Sequence, residues 1–293
     1  MHKIIFFTVI MFGFAVQSYA MDWQRLHDQA DHLSLEDAQE KALENPQSAQ
    51  EQYVLGLVCL NLHQDQQADA IFNKLLMDNP DLKEAKWGKA EVLRRRHDSF
   101  LAENLLNEVI KLDPQFSPAL ISLAYIKYFQ MNYKASVKLA LKVIEQGRNG
   151  SDLSNYVRAY AMYAGAKGML AHYGGLFSKG IDGLAVKPNL EKALKLQPKS
   201  AAVLFGLGSF YLLAPAIAGG DKAKAEVFLN QAIEADPLFA DAYVRLGQLA
   251  KINGNQQECD FFLQKALEID PGNELAQDII SRRCKFICVN SLN

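Results

Sequence analysis

Between Ala240 and Asn273 the apolar and small residues fall at helical spacing in two blocks. Tyr243, Leu246, Gly247 and Ala250 share one face at a period of 3.6; Cys259, Leu263 and Ala266 share a second. Gly254 lies between the blocks and Pro271 closes the second, so the stretch predicts a helical hairpin of 34 residues. A hairpin of this size cannot bury both apolar faces alone, which requires further copies. The prolines supply them. Pro46, Pro80 and Pro114 are 34 residues apart, as are Pro237 and Pro271; Pro198 precedes Pro237 by 39, and the interval from Pro114 to Pro198 is 84. Two units therefore carry inserts.

The repeated unit resembles the tetratricopeptide repeat. The small residue expected in the first helix falls on Gly56, Ala90, Ala124, Gly208 and Gly247. The alanine of the second helix falls on Ala68, Ala102, Ala135 (one residue out of step), Ala225 and Cys259, and the large apolar plug on Phe72, Leu106, Leu139, Leu190, Leu229 and Leu263. The resemblance implies an all-α fold, a right-handed solenoid of stacked hairpins with a capping helix at each end.

In chain order, residues 21–48 read as an N-terminal helical cap, with Trp23, Leu26, Ala30 and Leu33 on one stripe. Residues 49–273 form about six units, and 274–293 a C-terminal capping helix running to about Cys288. The inserts, near 172–184 (HYGGLFSKGIDGL) and 214–221, join first to second helix in adjacent units. They are expected to emerge on one edge and to pack together through Leu176, Phe177, Ile181, Leu184, Ala216 and Ile217, with His172, Phe177 and Ile217 as loop contacts to a partner.

Composition adds the compartment. Met1-His2-Lys3 is basic, Ile4 to Val16 is an apolar run of thirteen residues, and Ser18-Tyr19-Ala20 offers small residues for a signal peptidase. Residues 1–20 are thus expected to be a signal peptide cleaved after Ala20, leaving a periplasmic or secreted protein. Retention as an anchor is the alternative, although a bilayer asks for about 20 residues. A net charge of −2 and no basic stripe argue against nucleic acid. Four cysteines in an exported chain suggest a disulfide; antiparallel packing of the cap on the last hairpin would place Cys259 beside Cys284, with Cys288 the alternative partner and Cys59 free.

The candidate chemistry is sparse. Gly219-Gly220-Asp221-Lys222 could cradle a phosphate, but an N-cap at Asp221 explains it as well. His172, Lys179 and Asp182 share a loop but lack a nucleophile; Cys284 and Cys288 lack the further ligands a zinc site needs. No cofactor, metal or enzymatic activity is expected. Arg94-Arg95-Arg96-His97 ends a helix, where positive charge suits the dipole.

In the tetratricopeptide family the first helices line the concave surface, which implies that Tyr53, Trp87, Arg94, Ile121, Tyr125, Tyr128 and Phe205 form an aromatic groove for a partner or ligand. The functional reading is a non-enzymatic scaffold binding a protein or peptide, with oligomerisation open. The Gly-rich insert followed by Ala-Pro-x-x-x-Gly-Gly-Asp also resembles the T-component (TatT-like) proteins associated with TRAP-type transporters. That implies an alternative: an accessory protein working with a periplasmic substrate-binding protein and enclosing an apolar or acidic small ligand.

Overall fold

Two local signals repeat along the chain and shape every unit. Ser48, Asp98, Asn132, Asp152, Asp221 and Asn255 each accept a hydrogen bond from a first-turn amide and start a helix. Asn79, Asp113, Asp236 and Asp270 precede prolines, which drive them into extended conformation and stop the helix before them. The computed structural model describes residues 21–283, 285 and 286. Among these are fifteen α-helices and no strand. After α1 (Trp23–Ala30) and α2 (Leu35–Glu44) come the hairpins α3/α4 (Ala49–Asn61, Asp65–Asp78), α5/α6 (Lys83–Arg95, Ser99–Leu112) and α7/α8 (Ser117–Phe129, Tyr133–Gln146). They are followed by α9/α10 (Leu153–Tyr173, Leu176–Leu196), α11/α12 (Ala201–Leu213, Lys222–Ala235), α13/α14 (Ala240–Ile252, Gln256–Ile269) and α15 (Glu274–Ile280). The expected signal segment lies outside the described residues.

The core is the seam between neighbouring hairpins. Phe72 is fully buried and wedges between α3 and α5; a Cβ added at Gly56 or Gly88 would meet its ring at 2.7 or 2.4 Å. Leu229 presses on Gly208 in the same way, at 2.7 Å. The recurrent glycines are therefore set by ring and side-chain contact, which large residues would break.

Three elements depart from the expected plan. The first insert is helical: α9 runs to Tyr173, Gly174-Gly175 makes the turn and α10 begins at Leu176. Polar groups hold this extension, since Ser178 donates to the Leu170 carbonyl at 2.9 Å and Asp182 takes Lys167 at 2.6 Å. The C-terminal helix stops at Ile280 instead of continuing toward Cys288. Buried Asp278 accepts from the amides of Lys285 and Phe286, both at 2.9 Å, and Arg282 turns through a φ of 55°, so the chain folds back. Lastly, α1 packs chiefly on α3, not on its neighbour α2.

The solenoid also closes on itself. His63 and His97 occupy equivalent left-handed positions, φ 57° and 62°, in the turns of the first two hairpins, where the sixth has Gly254. Glycine would be unstrained there, but each imidazole makes a contact glycine could not. His63 reaches Asp236 at 3.1 Å; His97 reaches Asp270 at 2.8 Å and Glu274 at 3.2 Å. These two clasps tie the first two hairpins to the last two.

The hydrogen bond to Asp270 and the facing Glu274 carboxylate raise the His97 pKa to about 10. A raised folded-state pKa adds stability that is complete below the ordinary value of 6.5 and is lost as pH climbs through about 10. The melting temperature of the wild type relative to His97→Gln should therefore fall steadily from pH 7 to pH 10. A constant difference over that range would mean that the clasp is not ionic.

Candidate functional site

The concave face is largely filled by the chain itself. Tyr53 (0% exposed) and Trp87 (4%) are buried, and α1 lies over them. His27 shares a 2.8 Å hydrogen bond with the Tyr53 hydroxyl, and its ring centroid is 5.0 Å from that of Trp87. Trp23 meets Phe116 edge-on at 5.0 Å. The far end of α1 is moored by Asp28, which accepts from the Leu153 amide at 3.3 Å, and by Asp31, which takes the Ser154 hydroxyl. Burial lowers the His27 pKa despite nearby Asp152, leaving the imidazole neutral at pH 7. Trp87 spends its indole N–H on Ser122 Oγ at 3.0 Å. Ile121 is buried between α7, α8 and α9 with Ala140, Val143 and Ala159. Tyr53, Trp87 and Ile121 are thus core in this structure, a correction to their reading as an open groove.

Further along, the face becomes polar. The Arg94 guanidinium pairs with Glu91 at 3.0 Å and lies 4.4 Å over the Tyr125 ring. Arg158, from α9, brings a second positive charge to within 4.0 Å of Glu91. Burial pushes the Glu91 carboxyl up, yet the two arginines outweigh it and hold it well below the ordinary carboxylate range. Across from Tyr125, burial raises Asp241 to about 6, opposed by its hydrogen bond from Asn273. Tyr128 stacks on Phe286 at 6.0 Å, and Phe129 meets the same ring at 5.0 Å. Arg245, buried in α13, donates to the Phe286 carbonyl at 3.4 Å and to Gln248 at 2.6 Å. Phe205 is partly buried, packs on Phe239 at 5.3 Å and borders the same apolar cluster as Tyr128 and Phe129.

Sequence reasoning missed the parts played by Trp23 and His27, and missed Arg158 and Phe286; Glu91 was expected on the concave surface, but not as the partner of two arginines. The Trp23–Leu26–Ala30 stripe was visible, but as a cap. Nothing local marks Phe286 as an inserted side chain.

The inserts do not bury one another, which corrects the second expectation. Phe177 is 88% exposed and Ile217 fully so; Leu176, Ile181, Leu184 and Ala216 also face outward. Below the inserts the two hairpins are joined, where Lys187 of α10 and Lys224 of α12 lie 5.9 and 5.6 Å from the Tyr211 ring. His172 is half-buried against Tyr173, and Asp182 faces Lys167 and Ser178, so the His172, Lys179 and Asp182 set is not convergent. Asp221 accepts from the Lys224 amide at 3.1 Å, the N-cap reading of the Gly-Gly-Asp-Lys motif.

Cys59 and Cys259 are buried free thiols, each with its pKa raised by burial. The sulfur expected to bridge is thus a thiol in this structure, buried inside the last hairpin; Cys284 and Cys288 lie outside the described residues. Among the described residues no cluster of His, Cys, Asp and Glu could hold a metal, and no helix is long and apolar enough to cross a membrane.

Residues 240–273 match the family model described as tetratricopeptide repeat. Solved structures similar to the chain include a thermophilic repeat protein of Thermus thermophilus, at 20% identity and a TM-score of 0.54, over 67% of this chain and 95% of that one. A repeat protein from Parabacteroides merdae ATCC 43184 gives 14% identity and 0.53, over 87% and 96%. The APC/C hetero-tetramer Cut9–Hcn1 gives 15% and 0.58, over 92% and 49%. At these identities the likeness concerns the fold, a solenoid of tetratricopeptide-type hairpins. No curated protein matches the chain.

Proposed function

We propose that this tetratricopeptide-type solenoid is an exported, non-enzymatic scaffold that binds a protein partner by taking a short amphipathic helix into its concave face. The observation behind this is α1. It supplies Trp23, Leu26, His27 and Ala30 to the face and acidic groups to the start of α9, and so displays the chemistry the face accepts. An eight-residue helix has little stability of its own, so it depends on the face that holds it and can be exchanged for a better occupant.

The test is a fluorescent peptide carrying residues 21–33, added to the mature chain with Trp23→Ala and Leu26→Ala. The peptide should bind this variant at least about tenfold more tightly than the wild type, whose own α1 competes. A folded variant that ignores the peptide would remove the concave face from consideration. Export is a separate matter, and N-terminal sequencing of the mature protein should begin at Met21.

The inserts support a second reading, an accessory protein of a TRAP-type transporter. They stand on adjacent hairpins, which Lys187 and Lys224 join over the Tyr211 ring, and together offer one exposed edge as a seat for a periplasmic substrate-binding protein. Retention of such a protein by wild type, and not by a chain shortened through 172–183, would favour it.

A further inference from the structure

The turn end of α9/α10 is amphipathic in the wrong sense for a protein interior. Its inner side carries Ser178 and Asp182, hydrogen-bonded to each other and tied to Leu170 and Lys167 of α9. Its outer side carries Phe177, Ile181 and Leu184, spaced four and three residues apart and therefore on one stripe, with Leu176 beside them. Ile217, at the tip of the neighbouring insert, is fully exposed. Such a face is stable in water only at a cost, and an apolar occupant would remove it.

The form of the crest indicates which occupant. The two helices have 21 residues each, against 13 and 14 in most other hairpins, which lengthens this one by about 10 Å at its turn. The side chains stand outward, Leu176 and Phe177 being 87% and 88% exposed, and a Cβ added at Gly175 or Gly180 would meet nothing within 4 Å. A convex set of separate apolar side chains is poorly matched to a rigid protein surface and well matched to a fluid acyl phase. Charge agrees. Lys179, Lys187, Lys222 and Lys224 border the crest; Lys224 pairs with Asp221 at 3.2 Å, Lys187 with Glu191 at 3.6 Å and Lys167 with Asp182 at 2.6 Å, so lysines outnumber carboxylates along this edge. The chain as a whole carries −2, so this edge is locally opposite in sign to the molecule.

We infer that this crest seats the protein on an anionic phospholipid surface, with Phe177, Ile181, Leu184 and Ile217 entering the interface and the bordering lysines meeting headgroup phosphates. The mode is that of a peripheral amphipathic helix and involves no spanning segment.

The test is flotation of the mature chain with vesicles of phosphatidylglycerol and phosphatidylcholine, with phosphatidylcholine alone as the contrast. Binding is expected to the mixed vesicles, weakening about tenfold or more between 50 and 300 mM salt. Phe177→Ser with Ile217→Ser should cut it at least about tenfold, and Lys187→Glu with Lys224→Glu should do the same at low salt. All four side chains are exposed or partly so, and an unchanged melting temperature will show that the variants fold. The inference is overturned if wild type ignores the mixed vesicles, or if both pairs of substitutions leave binding intact. It is equally overturned if the wild type self-associates in solution and Phe177→Ser with Ile217→Ser makes it monomeric, which would assign the crest to a second copy of the chain.

Discussion

Trp87→Ala should destabilise the protein by about 3–5 kcal/mol, the range for emptying a buried aromatic site. The indole is 4% exposed, sits between His27 and Phe116, and donates to Ser122, which passes a hydrogen bond to the Pro118 carbonyl. Its removal leaves a cavity under α1 and frees the Ser122 hydroxyl. The loss should also be shared with α1: His27 and Trp23 would lose packing, and cleavage by a protease between Asp22 and Leu33 should accelerate along with unfolding. An open-groove residue would behave in the opposite way, leaving the denaturation midpoint in place and removing partner binding alone. Urea denaturation of the two proteins separates these cases; a shift under about 1 kcal/mol would mean that α1 does not cover the face in solution.

Glu91→Ala should be of similar size, about 3 kcal/mol, because it strands two arginines. The carboxylate is almost wholly buried, and its neighbours Arg94 and Arg158 are 13% and 31% exposed, so water relieves part of their charge and the lower end of the buried-pair range applies. Replacing Arg94 as well, by methionine, should recover part of the loss, since an apolar pair costs less than an unpaired charge. Acid gives an independent readout. The folded-state pKa of Glu91 is depressed from 4.5, so its contribution is present above that value and is lost as pH falls toward the folded-state pKa. Wild type should therefore lose stability between pH 5 and pH 3 faster than Glu91→Gln. Equal slopes would place the Glu91 charge outside the stabilising cluster.

The hairpins were legible because their determinants are local and recur. Pro80, Pro114, Pro237 and Pro271 stop helices, and Gly56 and Gly208 admit Phe72 and Leu229 within one or two adjacent helices. The first-helix positions of Tyr53, Trp87 and Arg94 were readable for the same reason. What covers them was not, because the covering contacts join residues far apart: His27 meets Asn155 across 128 positions, and Arg245 meets Phe286 across 41. No periodic pattern encodes such pairs. The first insert misled for a different reason. Its glycines and isolated lysine read as a loop, but the helix there is held by Ser178 and Asp182 on its inner side, an arrangement that reverses the usual apolar-in signal.

The clasps bear on how this chain can change in length. Open solenoids commonly gain or lose a unit by duplication or deletion, since each contacts only its neighbours. Here His63–Asp236 and His97–Asp270 both span 173 residues and lie one 34-residue unit apart, so they are two teeth of one ratchet. Removing a unit between the histidines and their aspartates would disengage both teeth together, or re-engage them one notch out, with His63 facing Asp270. Unit number in this protein is therefore quantised by closure, and homologous chains of other lengths would need either a different pitch or no clasp.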